Sequence, residues 1–86
     1  MASKPLTKVY LEEVRKRCEA ATPGPWISFI EGRDHTSGDS VIVRGINRSE
    51  EDLYLTGGTD ADQDFIAHAR QDITMLLDEI DRLLRP

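Results

Sequence analysis

The sequence predicts an α+β fold, a single-layer antiparallel sheet of three strands flanked by an N-terminal helix and a long C-terminal helix, in the order α-β-β-β-α. Three observations carry that expectation. Apolar residues recur at helical spacing near the start, at Leu11, Val14, Cys18 and Ala21. Three short runs rich in β-branched and aromatic residues follow, separated by turn formers. A long heptad pattern closes the chain, with Ile66, Ile73 and Ile80 at one spacing of seven and Ala69, Leu76 and Leu83 at another.

The first helix is expected within "LTKVYLEEVRKRCEAA". Thr7 is positioned to cap it, Glu12 and Glu13 fall early, and Lys16 and Arg17 fall late, as the helix dipole favours. Cys18 lies on the apolar stripe and reads as a small buried hydrophobe. The helix must end at Thr22, because the residue before a proline is pushed out of the α region. In "TPGPW", Pro23, Gly24 and Pro25 then form a stiff corner, with Gly24 free to take positive φ, that delivers Trp26 to one place. The economical role for Trp26 is a plug between helix and sheet, whose truncation to Ala costs about 3–5 kcal/mol. A stacking platform for a ligand ring, or an interface residue, are the alternatives.

The strands are expected over "WISFIE", "SVIVRG" and "DLYLT", and the short connections imply a meander. Arg44 interrupts an apolar strand and is expected on the solvent face. Gly57 and Gly58 end the third strand, and Thr59 or Asp60 caps the second helix. A Gly-Gly turn opening a helix can cradle phosphate, but Asp60, Asp62 and Asp64 already occupy the positive end of that dipole. The turn is therefore a cap. "ARQD", with Asp72 as a fresh cap, is a candidate kink or break. Leu77 and Leu84 widen the apolar stripe beyond a coiled-coil seam, so one side can cover the sheet while another meets a second copy. A homo-oligomer is the expectation.

Length and charge bound the function. The 86 residues form one small domain, 1–86, able to bury only about 60% of its unfolded surface, so association would help it. A single cysteine, no apolar run of membrane-spanning length and no signal-peptide core fit a reducing cytoplasm. Residues 1–48 hold 8 Lys/Arg against 6 Asp/Glu, while 49–86 hold 3 against 10. So acidic a second half repels a phosphate backbone, and neither nucleic acid nor a membrane is an expected partner. A solvated helix face explains that charge more simply than DNA mimicry does.

"EAATPGPW", then a variable strand region, then "DFIAHA" leading into "LLDEIDRL", resembles the Ead-like family of small early proteins of temperate phages. The blocks span roughly half the chain. The family pattern often carries proline where this chain has Thr74. The resemblance implies a phage or prophage accessory protein of the host cytoplasm, dispensable for building the virion. The residues that carry it, Thr22, Pro23, Gly24, Trp26, Phe65, Ile66, Ala67 and Ala69, all read as structural, so it brings no catalytic motif.

Chemistry is sparse. His35 and His68 lack metal spacing, and Ser37 and Ser40 lack the turn that exposes a nucleophile. His68 lies four residues after Asp64, which suits an ion pair. No enzyme and no cofactor are expected. Two function classes remain. One is a sponge for a small anionic, nucleotide-like signal of host defence, held by Arg44, Arg70, His68, Arg33, Arg48 and Tyr54, since phosphate and purine require cationic and aromatic groups together. The other is an interaction module that blocks a host protein with the acidic C-terminal helix, at Asp78, Glu79 and Asp81.

Overall fold

A computed structural model describes residues 6–36, 38–45 and 51–85. Helix α1 spans Lys8–Ala20, strand β1 Trp26–Phe29, strand β2 Val41–Arg44, and helix α2 Asp60–Leu84. The Thr7 hydroxyl caps α1, accepting from the Tyr10 N–H at 3.0 Å, and satisfies one of the four orphan donors of its first turn. Beyond its C-terminus the chain turns through Pro23 and Pro25, and the Gly24–Pro25 peptide is cis. Gly24 departs from expectation. It does not take positive φ, and an added Cβ would meet only ordinary contacts with Gln71 and Arg70.

The strands pair antiparallel, with Trp26 opposite Arg44, Ile27 opposite Val43, Ser28 opposite Ile42 and Phe29 opposite Val41. The expected third strand contributes a single antiparallel bridge, Leu53 to Ile42, with both backbone bonds made at 2.8 and 2.9 Å. Among the described residues the sheet therefore has two strands. Side chains alternate across a strand. Trp26, Ser28, Ile42 and Arg44 accordingly share one face, and Ile27, Phe29, Val41 and Val43 the other.

Helix α2 runs unbroken for 25 residues. Thr59 and Asp62 form a reciprocal capping box at its start, at 3.0 and 2.9 Å. Gly57, at φ +82°, makes the preceding turn where an L side chain would be strained. No break occurs at "ARQD", because Thr74 keeps the backbone N–H that proline would lack. The buried apolar residues are Ile30, Val41, Ile42, Val43, Ala67 and Leu77, drawn from the sheet and one side of α2.

Candidate functional site

The corner after α1 is the centre of a polar constellation, with Thr22 at its hub. The Thr22 carbonyl accepts from the Trp26 indole N–H at 3.0 Å and from Arg70 Nε at 2.9 Å. Its hydroxyl accepts from Arg44 Nη1 at 2.9 Å. Arg70 also reaches the Cys18 carbonyl at 3.0 Å, placing a cation on the free carbonyls of the last turn of α1. Its third contact is the Thr74 hydroxyl at 3.3 Å. Arg44 completes its fork on the Glu51 carbonyl, at 2.8 and 3.2 Å.

These bonds overturn the expectation for Arg44. The register sets it opposite Trp26, on the face that α2 covers, so its guanidinium turns inward to the Thr22 hydroxyl. Arg44 and Arg70 do converge, but on the corner itself. Their donors hold backbone and hydroxyl oxygens of the chain, which makes both of them fasteners of the fold.

Two glutamines on α2 finish the seam. The Gln71 side chain clasps the backbone of Trp26, accepting from its N–H at 2.8 Å and donating to its carbonyl at 3.0 Å. It stands where a neighbouring strand would stand and closes the free edge of β1 at that residue. Gln63 is the buried polar side chain, 4% exposed, and its amide donates to the Ser28 hydroxyl at 2.9 Å and the Val41 carbonyl at 3.1 Å. Burying an amide is tolerable only with such partners. Neither glutamine stands out in the sequence. A polar residue inside a helical apolar pattern is the one signal that could have marked Gln63.

Arg33 lies at the other end of α2. It makes a bidentate pair with Asp64, at 2.8 and 3.0 Å, and shares Asp34 at 2.8 and 3.0 Å. The hydrogen bonds from Arg33, helped by the Ser28 hydroxyl and more weakly by the charges of Arg33 and His68, lower the Asp64 pKa from 3.8 to about 2. The expected Asp64–His68 ion pair is thus replaced. Arg33 takes the carboxylate, and His68 stays exposed one turn on. Arg48 lies outside the described residues, as does Ser37.

Tyr54 is exposed and lines an open groove of about 610 Å³ on the uncovered sheet face, with Ile27, Phe29, Val43 and the carboxylates of Asp39 and Asp52. Trp26 is half-buried and lines a cleft between the two helices with Tyr10, Cys18 and Ile73. It is a seam residue, shallower than a core plug. Phe65 departs further from its structural role, standing 75% exposed, with Ile66 37% exposed beside it. The positions of α2 that meet the sheet are 63, 67 and 71, and Phe65 lies two residues, about 200°, round the helix from the first of them.

No cluster of His, Cys, Asp and Glu among the described residues could hold a metal ion. No helix there is long and apolar enough to cross a membrane. Compared with family models, curated proteins and solved structures, the chain finds no match.

Proposed function

We propose that the protein is a non-enzymatic accessory protein of the phage type that acts by contact with a host protein, through the acidic outer side of α2. The carrying observation is the engagement of Arg33, Arg44 and Arg70 within the chain, which withdraws the cations that an anion sponge requires. The likeness of "ATPGPW" and "DFIAHA" to the Ead-like proteins supports the phage setting. The contact surface is narrower than the charge run implies. Asp78 and Asp81 hold Arg15 of α1, at 3.2 and 2.9 Å, and serve helix packing. Asp72 is exposed and outside that pairing, and Glu79 is exposed with Arg82 of its own helix as its partner. The double variant Asp72→Asn, Glu79→Gln is expected to lower capture of the host partner in a pull-down and remove its loss with added salt. Undiminished, equally salt-sensitive capture contradicts the proposal.

One observation favours a second reading, capture of a small nucleotide-like molecule. The groove beside Tyr54 and Phe29 has the volume of a ligand site. Its lining includes Asp39, whose carboxylate disfavours a phosphate. Native mass spectrometry of protein purified from cells separates the two. A released mass of a few hundred daltons supports capture, and a ligand-free protein supports the contact reading.

A further inference from the structure

Leu77 alone of the apolar stripe of α2 is buried within the chain, and the other members are exposed or half-buried. Phe65, Leu76, Leu83 and Leu84 are each at least 62% exposed, and Ile66 and Ile73 are 37% and 39% exposed. Ala69 and Ile80, half-buried, complete the column. We propose that a second copy of this chain covers this stripe, its α2 running antiparallel about a two-fold axis that crosses the helix between Thr74 and Met75.

The spacing of the stripe is the first reason. Reversal about that point carries Phe65 onto Leu84, Ile66 onto Leu83, Ala69 onto Ile80 and Ile73 onto Leu76. Each of these residues meets another of them, which is the self-complementarity that a two-fold interface demands. The three inner layers pair an a position with a d position of a heptad, the pairing that antiparallel packing produces.

Bulk and charge select the antiparallel direction. A parallel pair would set Ala69 against Ala69 and leave a thin layer, whereas reversal sets Ala69 against Ile80 and evens the spacing. A parallel pair would also align the two acidic first turns, at Asp60 and Asp62. Reversal separates those turns and opposes the helix dipoles.

Extent points the same way. Covering these side chains removes on the order of 600 Å² of surface per chain, against about 800 Å² per partner in a standard interface. Tyr10 of α1 shares a cleft with Ile66 and Ile73 and is itself half exposed, so the first helix extends the patch. On the flank, Asp72 faces its counterpart across the axis, while Glu79 is paired with Arg82 of its own helix. Added salt should therefore tighten this pairing, the opposite of its effect on an acidic contact with a host protein. The inference does not depend on that host contact.

Sedimentation velocity on the full chain at tens of micromolar is expected to give twice the 9.7 kDa chain mass, and Leu76→Glu to give the monomer with unchanged helical circular dichroism. Should Leu76→Glu lose helicity, Phe65→Ser, at an even more exposed position, takes its place. Direction is read by spin-label distances in a Cys18→Ala background. Reversal separates the paired labels along the helix axis by about 8 Å at position 72 and about 30 Å at position 85. A monomeric wild type, a dimer indifferent to both substitutions, or equally short separations at 72 and 85 would overturn the proposal.

Discussion

Two sides of the same helix are built on opposite principles. The inner side of α2 meets the rest of the chain through Gln63, Ala67, Arg70, Gln71 and Leu77, and three of these five are polar. The polar side chains bind a carbonyl, a hydroxyl or a backbone N–H of the corner and the strands. The outer side carries Phe65, Leu76, Leu83 and Leu84, which are exposed, while Ile66 and Ile73 border the cleft towards α1. Hydrophobic periodicity thus marks the apolar side of a helix without saying what lies against it. Here the chain's own sheet takes a largely polar edge, and much of the apolar side stays exposed.

The contrast breaks most visibly at Arg70. Arg70→Met removes three hydrogen bonds from a charged donor group, takes the side-chain donor from the Cys18 carbonyl and leaves the Thr22 carbonyl with the Trp26 indole alone. It should cost about 2–3 kcal/mol in urea denaturation. To keep association out of that number, the comparison belongs in a Leu76→Glu background. Next comes Gln63→Leu, similar in bulk, which removes the buried bonds to the Ser28 hydroxyl and the Val41 carbonyl and should cost about 1–2 kcal/mol. On the outer side, Phe65→Ser should change the stability of the single chain by less than about 0.5 kcal/mol while weakening self-association. A large loss in the single chain would return Phe65 to the structural role its motif implies.

The smallest effect is electrostatic. The folded-state pKa of Asp64 is depressed from 3.8 to about 2 by the Arg33 fork. The stability it contributes is therefore present above about pH 4 and lost as pH falls towards 2. Asp64→Asn should flatten that part of the acid unfolding profile, and Asp34, also lowered by Arg33, should keep the remainder. Because Arg33 and Asp64 are both partly exposed, added salt should shrink the difference.

The legible parts of the fold are those decided within a few residues. Thr7 and Thr59 cap their helices because a hydroxyl reaches an N–H three positions away, and the proline at position 23 stops α1 whatever lies elsewhere. The first two strands begin within a residue of their expected starts for the same local reasons. What was not legible depends on long-range register. Asp52–Thr56 has strand-like residues, yet it forms one bridge, at Leu53. Arg44 looks like a solvent residue until the pairing with Trp26 turns it to Thr22. Arg70 shows the same limit, since nothing local marks a guanidinium that reaches the carbonyls of a distant corner.

The most direct test of the two-sided helix is the midpoint of thermal unfolding, measured over a hundredfold range of protein concentration, for the wild type and Leu76→Glu. If the outer stripe binds a second copy while the inner seam folds the chain, the wild-type midpoint rises with concentration. The variant should then hold one constant midpoint and unfold cooperatively from a helical state. A wild-type midpoint independent of concentration, or a variant already unfolded at low temperature, would contradict the division between the two sides.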